Sequence, residues 1–277
     1  MKTVSTLSDL RTARLSLYGT VGLVPTMGYL HEGHLSLVRR AKEECDHVVV
    51  SIFVNPTQFA PNEDLAKYPR DLPRDLSLIE PFGVDLVWNP IPEVMYPAGY
   101  QTWVEVETLT RPLEGSIRTS HFKGVTTVVA KLFNGVQPHK AYFGQKDAQQ
   151  AAVIRQMVRD LNFPLEVIVC PIVREADGLA MSSRNKYLEG ADRTAATILF
   201  RALSVAKSAY EGGERSGDKL RTIMKETIAS EPRAQVQYVS CADYDTLEEL
   251  DMVSGRTLLS MAVLFGKTRL IDNFVLG

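Results

Sequence analysis

The chain of 277 residues is 45% hydrophobic and 23% charged, which is typical of a globular protein with one large or two smaller domains. This composition excludes disordered and collagen-like chains. Its 31 Lys and Arg nearly balance its 33 Asp and Glu, and the net charge of −2 argues against a broad nucleic-acid surface, which normally carries a basic excess.

Short apolar runs alternate with helical patterns over the first part of the chain. The predicted strands are 20–24, 48–54, 84–88, 141–144 and 165–170, and the predicted helices are 35–45, 74–83, 124–136 and 147–161. Continuous Val and Ile runs separated by crossover helices indicate a parallel sheet covered on both faces. We therefore predict a doubly wound α/β domain, in which ligands bind outside the carboxyl ends of the strands.

A smaller α+β domain is predicted for the rest of the chain. Two successive helical patterns, 191–213 and 218–230, are followed by strand-like runs at 236–244, 256–266 and 268–277. Helices followed by strands favour a domain with an antiparallel sheet. We place the two domains at 1–174 and 175–277.

The cysteines and the N-terminus indicate a cytoplasmic protein. Cys45, Cys170 and Cys241 are far apart and form no C-x-x-C pair, a pattern typical of buried thiols in a reducing compartment. The N-terminus lacks the apolar core of a signal peptide, and no apolar run approaches the ~20 residues needed to span a bilayer. We expect neither a membrane nor a nucleic acid as partner.

The segment PTMGYLHEGH, residues 25–34, lies where the first predicted strand gives way to a helix. Such a turn offers main-chain N–H groups and the positive end of the helix dipole to a phosphate, and Gly28 and Gly33 allow a ligand close to the backbone. His31 and His34, three residues apart, can face the same way and stabilise developing charge.

Two other interpretations of this segment remain. The histidines can simply cap the helix, but helices usually start on Ser, Thr, Asp or Asn, so the pattern predicts a purpose other than capping. A metal site is the weaker interpretation, because H-x-x-H supplies two ligands and no third is apparent.

The segment FVNPTQF, residues 53–59, closes the next predicted strand. The amides of Asn55 and Gln58 can hold hydroxyl or carboxylate groups of a small substrate, with Phe53 and Phe59 as an apolar wall. Because Asn-Pro commonly starts a turn, this segment alone indicates only a turn.

The segment YFGQKDAQQ, residues 142–150, repeats the order of strand, glycine and helix. Lys146 would place an ammonium beside phosphate, Asp147 can accept from a ribose or ligand hydroxyl, and Gln150 lies one turn further on the same face. The alternative is an exposed Lys–Asp pair at a helix start, and such surface pairs are common and weak.

Two further polar segments can grip an anion. MSSRN, residues 181–185, combines hydroxyls, a guanidinium and an amide, although many surface loops have this composition. The connection 113–125 adds four ionisable side chains, Glu114, Arg118, His121 and Lys123. His121 alone favours a structural role, whereas the group together is typical of a lid or clamp for an anion.

PTMGxLHxGH, FVNPxQF, FGxKDxQQ and SSRN occur in this order, and with them the chain resembles the pantoate–β-alanine ligase family of the H-x-G-H nucleotidylyltransferase superfamily. The signature is His31-Glu32-Gly33-His34, and MSSRN resembles the Lys-Met-Ser-Lys-Ser loop of that superfamily, with Arg184 in place of a lysine. The resemblance covers most of the chain. It implies a Rossmann-like first domain, a C-terminal domain that closes as a lid, and a homodimer.

The resemblance also implies a two-step reaction. The carboxylate of pantoate attacks the α-phosphate of Mg-ATP, releasing pyrophosphate and giving pantoyl adenylate. The amine of β-alanine then attacks the acyl group, giving pantothenate and AMP. Catalysis would rest on positioning and on charge stabilisation at the phosphates.

Site residues are implied by motif position. The expected catalytic residues are His31, His34, Lys146 and Arg184, with His34 as the proton donor of the family. The expected ATP-binding residues are Pro25, Thr26, Met27, Gly28, His31, Gly33, His34, Gly144, Gln145, Lys146, Asp147, Val173, Met181, Ser182, Ser183 and Arg184. Pantoate and β-alanine would contact Gln58, Gln150, Asn55 and Arg118. Mg²⁺ is the expected cofactor, and its ligands stay unassigned among Asp64, Asp71, Asp75, phosphate and water.

Three rival functions remain less favoured. A nucleotidylyltransferase that transfers AMP or CMP to a phosphorylated acceptor would share H-x-G-H but would have no use for FVNPTQF. A non-catalytic nucleotide sensor would not need both histidines, Lys146 and the serine-arginine loop. An RNA-binding relative of class I aminoacyl-tRNA synthetases would need a basic balance and an anticodon-binding region.

Overall fold

The computed structural model describes residues 1–60, 63 and 65–277. The chain divides into two compact units. The first comprises Met1–Arg111, Gly115–Gly144 and Val153–Pro171, and the second comprises Pro112–Glu114, Gln145–Ala152 and Ile172–Gly277. The predicted boundary at residue 174 and the lid function of the C-terminal domain stay predictions.

A parallel sheet forms the centre of the first unit. In chain order, the strands and helices up to the last strand of this sheet are β1 Lys2–Val4, α1 Leu7–Arg14, β2 Val21–Thr26, α2 Glu32–Glu44, β3 His47–Ile52, α3 Leu72–Ile79, β4 Leu86–Trp88, α4 Pro92–Met95, α5 Glu114–Ile117, α6 His121–Val136, β5 Lys140–Gly144, α7 Ala148–Asp160 and β6 Glu166–Cys170. In the described residues the six strands have the order β1-β4-β3-β2-β5-β6, and all pairs are parallel. The strand order reverses between β2 and β5, so their carboxyl ends flank the usual ligand position of such a sheet.

Hydrophobic cores cover both faces of this sheet. Along β2, Leu23 belongs to one core and the next residue, Val24, to the other, as the alternation of side chains along a strand requires. Phe133 of α6 packs into the first core, and Val38 of α2 packs into the second. The predicted doubly wound α/β fold is confirmed.

The second unit contains α8 Gly190–Ala195, α9 Ile198–Glu211, α10 Gly217–Ala229, β7 Ala234–Asp243, β8 Thr257–Phe265 and β9 Thr268–Leu276. The strands pair antiparallel in the order β7-β8-β9. Leu203 of α9, Met224 of α10 and Phe265 of β8 are buried in one core. The predicted small α+β unit is confirmed.

Three local predictions differ from the structure. β1 and α1 were not predicted, because a three-residue strand and a one-faced helix of eight residues give weak patterns. α2 begins at Glu32 rather than Leu35. The predicted helix 191–213 is divided near Thr197, where i→i+3 bonds such as Thr197 N–H to the Thr194 carbonyl (3.2 Å) interrupt the α-helical pattern.

The cysteines are all free and buried in the described chain, as their spacing predicted. Burial raises the pKa of Cys170, and it raises the pKa of Cys241 to about 11. Both thiols therefore stay protonated near neutral pH. Among the described helices, none has the length and apolar character needed to cross a bilayer.

Asp85 joins three strands of the parallel sheet. Its carboxylate accepts from the Val48 N–H (2.8 Å) and lies 2.9 Å from His47 Nδ1, while its own carbonyl accepts from the Lys2 N–H (3.0 Å). Burial alone would raise the pKa of Asp85, but the bonds from His47 and Val48 outweigh it and hold that pKa below its ordinary value.

We predict that Asp85→Asn lowers the free energy of unfolding by about 2 kcal/mol at neutral pH, because it removes hydrogen bonds to a charged acceptor. A depressed carboxylate pKa stabilises the fold above the unfolded pKa, and this contribution is lost as the pH falls through the folded pKa. Urea unfolding should therefore show the difference shrinking below about pH 4. The exposed Glu93, changed to Gln, serves as control. A difference that stays constant with pH would contradict the assignment.

Candidate active site

The turn after β2 follows an unusual backbone path. Gly28 has φ +81° and Tyr29 has φ +51°, so two consecutive residues are left-handed, a conformation that only glycine adopts without strain. A Cβ at position 28 would lie 3.0 Å from both Asp75 Oδ2 and Ile52 Cγ2. Glycine is therefore required here by conformation and by space.

Asp75 holds this turn in place. Its two carboxylate oxygens accept from the main-chain N–H groups of Tyr29 and Leu30, each at 2.7 Å, and Asp75 is 1% exposed. Arg74 lies beside it, with Nη1 at 3.4 Å from Asp75 Oδ1 and its guanidinium 4.8 Å from the centre of the Tyr29 ring. Burial raises the pKa of Asp75, and the two N–H bonds oppose this shift.

The histidines cap α2, which was the less favoured interpretation of this segment, and a purpose beyond capping stays a prediction. His31 is the N-cap residue, and its Nδ1 accepts from the Gly33 N–H at 3.1 Å. His34 Nδ1 in turn accepts from the His31 N–H at 3.3 Å. Imidazole nitrogens thus replace the oxygens of the usual reciprocal capping box.

Capping fixes the tautomer of both rings. A nitrogen that accepts a hydrogen bond carries no proton, so each neutral imidazole has its proton on Nε2. This assignment follows from the hydrogen-bond network. The ring centres are 4.1 Å apart with a 40° tilt. The start of α2 therefore carries two Nε2–H donors next to each other, at the positive end of the helix.

The segment 53–59 forms a turn that also aligns an amide. Asn55 is 1% exposed, and its Nδ2 donates to Gln58 Oε1 (3.0 Å) and to the Gly124 carbonyl (3.1 Å). Gln58 Nε2 approaches Met27 Sδ at 3.3 Å, which links this segment to the turn after β2. Asn55 thus orients the Gln58 amide.

The Tyr96 hydroxyl and Gly124 fix the position of the Asn55 and Gln58 amides. Tyr96 donates to Asn55 Oδ1 at 2.8 Å, and burial raises the pKa of Tyr96 to about 12, which keeps it a donor. A Cβ at position 124 would lie 2.5 Å from the Thr57 carbonyl oxygen and 2.7 Å from Gln58 N. Only glycine lets α6 approach this turn so closely.

Arg118 and His121 support the backbone of Gln58. His121 Nδ1 lies 2.9 Å from the Gln58 carbonyl and is therefore its donor, while Arg118 Nη1 lies 3.1 Å from His121 Nε2. Arg118 also donates twice to Glu63, at 2.7 and 2.9 Å. Burial alone would raise the pKa of Glu63, but Arg118 outweighs it and lowers that pKa.

The remaining charges of the 113–125 segment also have ion partners in the protein. Lys123 Nζ lies 3.6 Å from Glu105 Oε2, and Glu114 accepts from Arg269 Nη1 and Nη2 at 2.6 and 2.7 Å. Arg118 was predicted as a substrate contact, but its pairing with Glu63 favours a supporting position. A clamp for an anion stays a prediction.

The second unit carries the other candidate residues in two segments. Lys146 lies in the 3-10 turn Gln145–Asp147 that follows β5, with its ammonium 3.9 Å from Asp147 Oδ1. Gln149 is buried and bonds to the Glu114 N–H (2.9 Å) and the Pro112 carbonyl (2.8 Å), whereas Gln150 is half-buried.

The segment that contains Val173 and MSSRN is a short hairpin followed by a capped turn. The Met181 N–H donates to the Val173 carbonyl at 3.0 Å. Ser182 Oγ accepts from the Arg184 N–H at 3.2 Å and caps the 3-10 helix Ser183–Tyr187. Local hydrogen bonds thus fix the backbone that presents the serines and Arg184.

Several supporting residues were missed from the sequence. Glu63 and Tyr96 belong to no motif, and their partners Arg118 and Asn55 lie 55 and 41 residues away in the chain. Asp75 was considered only as a possible metal ligand, and the main-chain N–H groups that it binds, those of Tyr29 and Leu30, lie 46 and 45 residues away in the chain.

We predict that Asp75→Ala lowers the free energy of unfolding by about 2 kcal/mol, because two buried N–H groups lose their acceptor while the release of a buried charge offsets part of the cost. Amide hydrogen exchange at Tyr29 and Leu30 should accelerate. The control is Asp71→Asn, since Asp71 caps α3 and asparagine caps equally well. Unchanged exchange at both amides would show that Asp75 does not hold the turn.

Comparison with known proteins gives one consistent result. The family model described as pantoate-beta-alanine ligase matches residues 1–275. A relative from Roseiflexus castenholzii, named pantothenate synthetase, is 60% identical over 100% of this chain and 99% of its own length. Another of that name from Herpetosiphon aurantiacus is 58% identical over 100% of both chains.

Solved structures agree. A crystal structure of pantothenate synthetase from Thermus thermophilus superposes with a TM-score of 0.94 at 48% identity, covering 99% of each chain. A pantoate-beta-alanine ligase from Francisella tularensis, complexed with beta-gamma ATP and beta-alanine, has a TM-score of 0.81 at 36% identity. That comparison covers 99% of this chain and 97% of the other.

Proposed function

The chain belongs to the pantoate–β-alanine ligase family, and from this premise we propose that it condenses (R)-pantoate with β-alanine at the expense of ATP. The carboxylate of pantoate attacks the α-phosphate, which gives pantoyl adenylate and pyrophosphate. The β-alanine amine then displaces AMP from the acyl carbon and gives pantothenate. Pantothenate formation is a step of coenzyme A biosynthesis.

The observation that carries the proposal is the pair of imidazoles at the start of α2. Both Nδ1 atoms accept main-chain N–H groups, so each neutral ring donates from Nε2. Donors fixed before the substrate arrives stabilise the negative charge that develops at the phosphates without reorganisation. A proton-donor role for His34 is therefore less favoured than hydrogen bonding to phosphate.

In the first unit, residues 25–34 bind ATP and Gln58 binds pantoate and the incoming β-alanine. Asn55 and Arg118 act on these substrates through Gln58, because Asn55 orients its amide and Arg118, with His121, supports its backbone. The bond to Met27 keeps the Gln58 amide at the ATP-binding turn.

In the second unit, Lys146 and Arg184 bind phosphate oxygens, and Gln150 binds pantoate. The other nucleotide-binding residues there and at the end of β5 are Gly144, Gln145, Asp147, Val173, Met181, Ser182 and Ser183. Two cations from separate segments offset the charge of a triphosphate, which hydrogen-bond donors alone do not neutralise.

Mg²⁺ enters with ATP in this proposal. Within the described ranges, no group of three His, Cys, Asp or Glu side chains is placed to hold a metal. Asp75 binds two N–H groups and Asp71 caps α3, while Asp64 lies outside the described residues. Phosphate oxygens and water would then hold the ion, as is common for Mg²⁺, and it would supply charge neutralisation there.

The proposed cytoplasmic location rests on the composition, and the proposed homodimer rests on the family. Three free, buried cysteines fit a reducing cytoplasm. A homodimer is the assembly expected of the family. Light scattering of the purified protein would test the dimer.

The decisive experiment follows pyrophosphate and AMP from ATP, Mg²⁺ and pantoate, with and without β-alanine. Without β-alanine we expect one burst of pyrophosphate, roughly equal to the enzyme, because the adenylate stays bound. With β-alanine, AMP and pantothenate should form continuously. If pantoate gives no pyrophosphate while ATP still binds, a nucleotidylyltransferase or a sensor becomes the better assignment.

Lys146→Ala should slow the burst by about 100- to 1,000-fold, the usual cost of losing one group that stabilises transition-state charge. Circular dichroism should stay unchanged, since the ammonium is partly exposed and its ion pair with Asp147 is long, at 3.9 Å. The exposed Lys225, changed to Ala, is the matched control. A normal burst from folded Lys146→Ala would reject the role.

The substitution His31→Asn separates the capping role of His31 from its proposed hydrogen bonding to phosphate. Asparagine is a good N-cap residue, so the thermal stability should change little, but its short side chain cannot place a donor where Nε2 lies. We expect the burst rate to fall by about 100-fold with an unchanged melting temperature. A burst rate that falls only together with the melting temperature would instead show that His31 acts only as a cap.

A further inference from the structure

Asn273 of β9 bonds to the turn that carries Lys146. Its Nδ2 donates to the Gln145 and Lys146 carbonyls, each at 3.0 Å, and its Oδ1 accepts from Gln145 Nε2, also at 3.0 Å. Asn273 is 3% exposed. The whole amide, both donors and the acceptor, is therefore committed to two consecutive residues of one turn.

Tyr244 completes this set of contacts. Its hydroxyl donates to Gln145 Oε1 at 3.1 Å, so the Gln145 amide is bonded at both of its ends. Gln145 cannot rotate its amide without breaking one of these bonds. The residue before Lys146 is thus fixed in backbone and side chain.

The strand that presents Asn273 is itself well anchored. Asp272, 1% exposed, binds Arg174 through two bonds of 2.7 and 2.9 Å and accepts from the Asn273 N–H at 2.7 Å. Arg174 also donates to the Gly178 carbonyl at 2.9 Å, and its guanidinium lies 4.8 and 5.0 Å from the ring centres of Phe200 and Phe274. The Asn273 backbone therefore has little freedom to follow a displaced turn.

A lysine side chain is long and flexible, so its ammonium is placed well only if its backbone is fixed. A free 3-10 turn of three residues has weak hydrogen-bond geometry and does not fix it. Bonds to both carbonyls orient the peptide units on either side of the Lys146 Cα. They set the direction in which the lysine leaves the turn.

We propose that Asn273 is a positioning residue for adenylation, which acts by fixing the main chain at Lys146. The proposal rests on the proposed function, in which Lys146 binds phosphate in the transition state. Asn273 itself touches no substrate. Its loss should lower the rate of the first step and leave β-alanine transfer from preformed adenylate unaffected.

The test is a double-mutant cycle on the single-turnover rate of pyrophosphate release, with Asn273→Ala, Lys146→Ala and the double variant. We expect Asn273→Ala to slow this step by about 100-fold, as a displacement of ~1 Å can. In the Lys146→Ala background the same change should cost less than about threefold, because the ammonium that it misplaces is already absent.

Two further variants separate positioning from folding. Tyr244→Phe removes a single bond to Gln145 and should slow the step by only about threefold. Ser260→Ala is the matched control, since Ser260 lies opposite Asn273 in the β8–β9 pair and its buried hydroxyl has no hydrogen-bond partner among the described residues. Melting temperatures are measured for all variants, and Tyr244→Phe carries the test if Asn273→Ala does not fold.

The outcomes distinguish this inference from the proposed function. A normal rate in folded Asn273→Ala, or an equal loss with and without Lys146, overturns the positioning role but leaves the ligase assignment intact. A normal rate in Lys146→Ala removes the phosphate role of that lysine and overturns the inference with it. If Asn273→Ala does not fold and Tyr244→Phe has the full rate, the inference is overturned as well.

Discussion

A carboxylate that binds two adjacent main-chain N–H groups is the contact on which the candidate ATP-binding turn of the first unit depends. Asp75 draws the N–H groups of Tyr29 and Leu30 together and holds the backbone in a left-handed path that a free chain would leave. Because this path leads directly into α2, it decides where the helix begins. The positions of His31 and His34 follow from that start.

The same principle recurs at two other candidate substrate contacts, Gln58 and Lys146. Gln58 is oriented through its side chain by Asn55 and through its carbonyl by His121. Lys146 is carried by a turn whose carbonyls are bound by a strand of the second unit. Residues that are expected to contact substrate are thus held by buried residues that are not expected to contact it. Such support keeps the geometry of a site fixed before the substrate binds.

The sequence predicts this architecture where the signal is local. Val and Ile runs define strands because a strand buried on both faces needs apolar side chains on both, and the motifs are recognisable because strand, turn and helix follow within about ten residues. Three of the four family motifs fall at the carboxyl ends of β2, β3 and β5, as a doubly wound sheet requires, whereas SSRN lies in the second unit.

Long-range support was not predictable in this way. The partner of Arg118 lies 55 residues away, and the donor to the Lys146 carbonyl lies 127 residues away. No periodicity encodes such pairs, so Asn273 belonged only to a predicted strand. The imidazole cap was considered but not favoured, since capping preferences describe oxygen side chains and give histidine little weight.

The neutral rings of His31 and His34 also restrict how charge is distributed during the reaction. A proton added at either Nδ1 would face a main-chain N–H across 3.1 or 3.3 Å, so donor would oppose donor and the first turn of α2 would lose that bond. Protonation at Nδ1 would therefore cost the helix start one capping bond. In the proposed function, the positive charge that balances the triphosphate then comes from Lys146, Arg184 and the Mg²⁺ that enters with ATP. In that proposal the two histidines donate directed hydrogen bonds, and Lys146 and Arg184 supply the positive charge.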